Sequence, residues 1–318
     1  MGLLVNGEWV NDSQSYSNKD GKFVRTNSQF RNWITRDGSS GFPAEHGRYH
    51  LYVSLACPWA HRTLIMRKLK GLENSITVSI VDPYMSGAEG WIFSEYPGST
   101  LDSINEFKCL YQVYQKSNPQ FTGRVTVPVL WDKAAKTIVN NESPEIIIML
   151  NNCFDGPDFY PEDLREKIEE LNAWIYDKIN NGVYKSGFAS TQSAYEEAVT
   201  ELFEALDQVE VILDRNRFLA GDRFTTADIR LFTTLIRFDC VYVGHFKCNL
   251  KRLVDYPNIW NYVKEIYQME GIEETVNMDH IKKHYYTSHT WINPNCIVPK
   301  GPIIDFKESH NRSLKFNH

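Results

Sequence analysis

An α/β domain followed by an all-helical domain is predicted by three features of the 318-residue sequence. A strand–helix–strand run starts at Tyr49, a strand pair backed by a helix starts at Val125, and helical periodicity takes over beyond Pro157. The 42% hydrophobic content can bury a core, and the length suits one or two domains.

Residues 1–45 are polar and glycine-rich, with Phe30, Trp33 and Ile34 as isolated apolar anchors, and read as an arm laid on the surface. Residues 46–155 carry the α/β domain. Tyr49–Ser54 is the first strand, a helix follows from about His61 to Lys70, and Gly71 with polar residues stops it. The β-branched run Ile76–Val81 completes a parallel βαβ unit, and an insertion spans Tyr84 to about Gly123. Val125–Trp131 and Thr137–Val139, joined by a turn at Asp132–Lys136, form an antiparallel pair. Ser143 then reads as an N-cap and Pro144 as the first helical residue of a helix to about Asn151. A βαβ unit followed by ββα is the order of a thioredoxin-like fold. Asp155–Asp158 is the predicted linker, and residues 160–283 form the all-helical domain. There Ile168, Leu171, Ile175 and Ile179 make an apolar stripe, and Thr225 with Asp228 makes a capping box. Residues 284–318 hold three prolines and little periodicity and read as a tail.

Charge excludes some functions. The net charge of −6 argues against a nucleic-acid or anionic-membrane surface. No apolar stretch reaches membrane-spanning length, and Met1–Asn6 has no signal-peptide block, so a cytoplasmic address is expected. The six cysteines, at 57, 109, 153, 240, 248 and 296, are too sparse for a disulfide scaffold. Aromatics reach 13%, enough for a packed core and for a pocket that takes a flat ligand.

One cysteine stands out. Cys57, in Cys57-Pro58-Trp59-Ala60, lies between the first strand and the first helix, where free backbone N–H groups and the helix dipole stabilise a thiolate. Arg62 and Arg67 add positive potential in this reading. Ala60 occupies the position where a dithiol oxidoreductase carries its second cysteine. A mixed disulfide on Cys57 therefore needs an external thiol, and in the cytosol glutathione is the abundant one. Val127-Pro128 places a proline inside a strand. In thioredoxin-like folds, which this order resembles, such a proline is cis, lies beside the cysteine, and is preceded by a residue whose backbone meets a peptide-like ligand. Glu142 suits an ammonium group, and Ser143 at a helix N-terminus suits a carboxylate or a plain cap.

At these residues the chain resembles the glutathionyl-hydroquinone reductases, the Xi class of the glutathione transferase superfamily. The resemblance runs through Phe30–Ile34, Gly47–Arg62, Thr126–Asp132, Asn140–Ser143, Asn180–Lys185, Ala227–Leu231, His284–His289 and Ile292–Pro294. It implies the glutathione transferase architecture and a homodimer formed through the helical domain. It also implies that Cys57 takes glutathione from a glutathionyl-hydroquinone and a second glutathione frees Cys57. The implied glutathione site is Trp91, Arg124, the Val127 backbone, Glu142 and Ser143. Tyr184 and Tyr285 are the implied partners of the quinone oxygens, with Tyr286 the adjoining alternative. Pro144-Glu145 departs from the pattern, which has a small residue there.

Two other readings stay open. An omega-like thiol transferase or dehydroascorbate reductase would use the same Cys57, and a non-catalytic assembly module would have no use for it. His280 and His284 are spaced i, i+4 beside Asp279, but Ile281 replaces the glutamate of the zinc motif. They read as a surface helix face, and no metal is expected. Cys240 and Cys248 read as core.

Overall fold

The computed structural model describes residues 2–11 and 17–316. Along the chain come β1 (Gly2–Val5), β2 (Glu8–Asn11), β3 (Tyr49–Val53), α1 (Pro58–Leu69), β4 (Ile76–Ile80) and α2 (Leu110–Ser117). Next are β5 (Gly123–Arg124), β6 (Val129–Asp132), β7 (Thr137–Asn140), α3 (Ser143–Cys153), α4 (Arg165–Ile175), α5 (Gly182–Gly187) and α6 (Gln192–Arg215). The last helices used below are α7 (Thr226–Arg237), α8 (Val243–His245), α9 (Pro257–Tyr267) and α10 (Met278–Ser288). Two compact units result. The first takes the described residues of Met1–Gln14 with Thr26–Pro157 and Thr275–Val298. The second takes those of Ser15–Arg25 with Asp158–Glu274 and Pro299–His318.

The first unit is built on a four-stranded sheet in the order β4-β3-β6-β7, with β3 parallel to β4 and antiparallel to β6, and β6 antiparallel to β7. All five residues of β3 are buried, as a strand paired on both sides with both faces covered must be. α1 packs on α3, and α2 lies against β7. This is the predicted thioredoxin-like order. α1 starts earlier than the expected His61, because Pro58 is well suited to a first helical turn. β6 starts later than the expected Val125, because Pro128 has no N–H to give the ladder. Glu142, not Ser143, is the N-cap of α3, and Ser143 is its first residue.

Three segments of this unit differ from the sequence reading. The arm opens with a hairpin in which Asn6 and Gly7 both have positive φ, the two-residue turn that an Asn-Gly pair favours. β1 also pairs with β5, Leu3 opposite Arg124, and Trp9 stacks on Tyr111 of α2 at 5.0 Å. The insertion contains α2, whose Leu110, Val113 and Tyr114 are buried at i, i+3 and i+4. Its cap is Cys109, and Gln112 Oε1 accepts from the Cys109 backbone N–H at 2.9 Å. The boundary placed at 283/284 falls inside α10, so residues 275–283 lie in the first unit and His284 begins no tail. α10 buries His280, Ile281, His284, Tyr285 and Ser288. Counting its histidines as polar hides that stripe in the sequence.

The second unit is helical. α6 packs against α5 and α9, and α4 against α7. Widened π-type turns at Tyr176–Asn180 and Phe238–Tyr242 precede α5 and α8. Cys240 and Cys248 are buried there, as expected. Arg312 is also buried and donates to the carbonyls of Leu213 (2.7 Å), Asn216 (2.8 Å) and Arg217, closing the C-terminal end of α6. The capping box of α7 is formed as predicted. Thr225 Oγ1 accepts from the Ala227 N–H at 3.3 Å, and Asp228 Oδ2 accepts from the Thr225 N–H at 2.8 Å. Asp228 Oδ1 also accepts from the Leu219 N–H (2.9 Å) and the Tyr262 hydroxyl (2.8 Å). Among the described residues no helix is long and apolar enough to cross a membrane.

Asp228→Ala would leave these buried donors without their acceptor, and a loss of about 3 kcal/mol in denaturant unfolding is expected. Burial pushes the Asp228 carboxyl up to about 6, against the pull of its hydrogen bonds from Leu219, Thr225 and Tyr262. The folded state therefore holds more protons than the unfolded one between the ordinary 3.8 and about 6. The contribution of Asp228 to stability is complete below this window and declines as pH rises through it. Asp228→Asn, which cannot ionise, should flatten that part of the stability profile.

Candidate functional site

The end of β3 and the start of β6 lie side by side at one end of the two central strands. β3 ends at Val53, a tight turn closes with the Cys57 N–H donating to the Ser54 carbonyl at 3.2 Å, and α1 begins at Pro58. Cys57 is thus the N-cap of a twelve-residue helix, and its carbonyl accepts the first helical bond from the His61 N–H at 3.0 Å. Its side chain makes no capping bond. The thiol is partly exposed and donates to the Val127 carbonyl at 3.6 Å. A thiolate here would give up that bond and keep the helix N-terminus, where partial positive charge favours it. Val127 is buried, and the Val127–Pro128 peptide is cis. Ala60, one turn on, is buried and offers no second thiol.

The two arginines expected to add potential at the thiol take different partners. Arg62 is buried in the second turn of α1, stacks over the Trp59 ring at 4.5 Å and donates to Ser143 Oγ at 3.3 Å. It links the N-terminal turns of α1 and α3. Arg67 is ten residues from Cys57, about 15 Å along a helix, and donates to the carbonyls of Ile76 (2.6 Å) and Glu73 (2.9 Å). Arg67 is therefore a clamp on the far end of α1 and not a source of potential at the thiol.

Glu142 and Ser143 stand at the start of α3. The Glu142 N–H donates to Asn140 Oδ1 at 2.7 Å, and Ser143 is buried. The departure at Glu145 has a structural use. Its carboxylate takes a two-pronged bond from Arg31 of the arm and another from Asn140 Nδ2 at 2.8 Å. The side chain that replaces a small residue thus fastens the arm beside the N-terminus of α3.

Trp91 and Arg124 come from the insertion and the short strand after it. The Trp91 carbonyl accepts from the Leu110 N–H at 2.9 Å, and its ring stacks on His284 of α10 at 4.8 Å and 23°. His284 Nδ1 lies 2.9 Å from the Pro83 carbonyl, and a carbonyl only accepts, so Nδ1 carries a proton. His280 Nε2 likewise donates to the Pro97 carbonyl at 2.7 Å. These two histidines are buried in the first unit, which corrects the surface face read from their spacing. Arg124 is held by its pairing to Leu3.

Tyr285 is buried, in edge-on contact with the neighbouring His284 at 5.3 Å and with His289 at 5.6 Å. Tyr286 is half-buried, and its carbonyl accepts from Asn293 Nδ2 at 2.6 Å. Tyr184 belongs to the second unit. There it lies among Phe23, Phe188, Tyr242 and Phe246, with the Arg25 guanidinium 5.2 Å from its ring centre. Arg25 also donates to Asn181 Oδ1 at 2.9 Å. Sequence reasoning missed Arg25, Tyr114 and His284 as neighbours of site residues. The i, i+3, i+4 pattern around Tyr114 and the i, i+4 spacing of His280 and His284 were signals for two of them.

Comparison with known proteins identifies the family of the chain. Residues 56–153 match the glutathione S-transferase N-terminal domain, and residues 192–265 match the C-terminal domain of the same enzymes. The glutathionyl-hydroquinone reductase YqjG of Escherichia coli strain K12 is 54% identical over 328 residues, spanning 99% of this chain and 100% of that one. The glutathione-bound structure of YqjG superposes with a TM-score of 0.91 at 52% identity, covering 99% of this chain and 100% of that one. A Xi-class transferase from Natrialba magadii superposes with a TM-score of 0.93 at 49% identity, covering 99% of this chain and 97% of that one. The chain belongs to the Xi class of the glutathione transferases, the family of the glutathionyl-hydroquinone reductases.

Proposed function

We propose that this protein reduces glutathionyl-hydroquinones to hydroquinones, with glutathione as co-substrate and no metal. The observation that carries the reading is the thiol of Cys57, at a helix N-terminus 3.6 Å from the Val127 carbonyl and with Ala60 in place of a resolving cysteine. It lies in a chain 54% identical to the YqjG reductase.

The reaction takes two steps. The Cys57 thiolate attacks the sulfur of the conjugate and forms a Cys57–glutathione disulfide. The conjugate reacts as its ketone tautomer, whose sulfur-bearing carbon also holds a hydrogen. The carbon–sulfur bond breaks, its electron pair passes through the ring to the carbonyl oxygen, and a proton on that oxygen completes the hydroquinone. A second glutathione thiolate then attacks the mixed disulfide, returns Cys57 as thiolate and leaves as glutathione disulfide. The conjugate is reduced, and two glutathione sulfurs are oxidised to one disulfide.

Each assigned residue has a chemical task. Val127 offers its backbone to the tripeptide, as an added strand would be met. Glu142 suits the ammonium group, Ser143 and the first amides of α3 suit a carboxylate, and Arg124 suits the other carboxylate. Trp91 covers the tripeptide. Tyr184 and Tyr285 donate to the quinone oxygens, where negative charge grows as the carbon–sulfur bond breaks. The reading includes a homodimer in the cytoplasm, where glutathione is the abundant thiol.

Purified protein mixed with a glutathionyl-hydroquinone and glutathione should release hydroquinone, and Cys57→Ser should abolish the release. With glutathione limiting, mass spectrometry should find one glutathione on Cys57. Full turnover by Cys57→Ser would sink the mechanism. Tyr184→Phe combined with Tyr285→Phe should lower kcat/KM for quinone conjugates at least about ten-fold more than for a small glutathione mixed disulfide. Equal losses on both substrates would favour the omega-like thiol transferase.

A further inference from the structure

Tyr114 stands outside every motif of the resemblance, yet its hydroxyl joins the two loops assigned to glutathione. The ring is buried, edge-on to Phe30 at 5.7 Å and tilted against Phe121 at 5.2 Å. The hydroxyl donates to the Thr126 carbonyl at 2.8 Å and accepts from the Thr126 N–H at 3.2 Å and from Asn141 Nδ2 at 3.1 Å. A phenol has one proton to donate and two lone-pair positions, and these contacts use all three. Burial pushes the phenol up, so it keeps the proton that Thr126 receives. Thr126 is the residue before Val127, and Asn141 is the residue before Glu142. Asn141 is tied in turn, since its Oδ1 accepts from the Phe30 N–H at 3.2 Å.

We propose that Tyr114 is a positioning residue that fixes the separation between the Val127 backbone and the Glu142–Ser143 pair, and so sets the affinity for the glutathionyl group. This rests on the glutathione site assigned above. A tripeptide held at its middle by one loop and at its γ-glutamyl end by the other needs both at a set spacing. β6 and β7 carry these loops, but Val127 and Glu142 both lie outside the strands, and the backbone bond from the Asn141 N–H to the Phe30 carbonyl (3.1 Å) ties the Glu142 side to the arm and not to the Val127 loop. The Tyr114 hydroxyl supplies the missing restraint without touching Cys57 or the bound molecule. Preorganisation of this kind lowers the ordering cost of binding and leaves the chemical step alone.

Tyr114→Phe keeps the ring and removes only the hydroxyl. It should raise KM for glutathione about ten-fold while kcat at saturating glutathione stays within about two-fold. The rate at which iodoacetamide alkylates Cys57 without glutathione, followed against pH, should not move. Asn141→Ala should raise KM in the same direction, and the double variant should add little to either single change, as expected for one shared link. An unchanged KM in Tyr114→Phe would overturn the proposal. So would a joint loss of kcat, KM and alkylation rate, which marks general damage to the fold. Should Tyr114→Phe not fold, an unchanged KM in Asn141→Ala overturns the proposal in its place. Calorimetric titration of Cys57→Ser with glutathione separates the two levels. No binding there defeats the glutathione assignment itself, whereas binding that Tyr114→Phe leaves intact defeats only the role of Tyr114.

Discussion

The register of β3 against β6 is the constraint on which the site depends. Tyr52 faces Val129 across an antiparallel ladder, so the chain entering β6 must pass the end of β3 where Cys57 starts α1. β7 runs antiparallel to β6 with Asn140 opposite Leu130, which brings Glu142 and the start of α3 to the same end of the sheet. Two helix N-termini and one donor-less proline loop therefore converge with no special device at the cysteine. A one-residue slip of β3 would exchange the side chains on its two covered faces and move Cys57 away from Val127, so the packing that stabilises the sheet also holds the site together.

The segments laid around this sheet are restrained mainly by single polar side chains. Asp102, buried, accepts from the Tyr52 hydroxyl and from the N–H groups of Ile104, Asn105 and Phe107, which shapes the loop ahead of α2. Glu145 fastens the arm through Arg31, and His284 joins the Trp91 loop to α10. Each such group has hydrogen-bond partners, as burial of polar atoms requires. In the second unit Asp228 and Arg312 do the same work at opposite helix ends, one capping α7 and the other closing α6.

Much of the site was legible because it is local in sequence. Cys57-Pro58 and Glu142-Ser143 each sit where a strand gives way to a helix, and Thr225 with Asp228 encodes its own cap. α2 and α10 were not legible. The first is a short helix inside an aromatic, glycine-bearing insertion, and the second hides its buried stripe behind histidines whose partners are carbonyls about two hundred residues earlier. The Asn6-Gly7 hairpin carried a clear turn signal, but its strands are too short and too exposed to announce a sheet.

The sequence alone carried the reading behind the proposed chemistry: a cysteine before a proline at a strand–helix junction, without a second thiol at Ala60, suits release by an outside thiol. It also determined the order β3, α1, β4, β6, β7 and α3, since hydrophobic period and caps are properties of neighbours along the chain. Only the tertiary structure decided what the arginines of α1 bind: Arg62 reaches Ser143 of α3, whereas Arg67 reaches the carbonyls of Glu73 and Ile76. Only the tertiary structure, too, joined Tyr114 to Thr126 and Asn141, because contacts between residues far apart in the chain arise from packing and register.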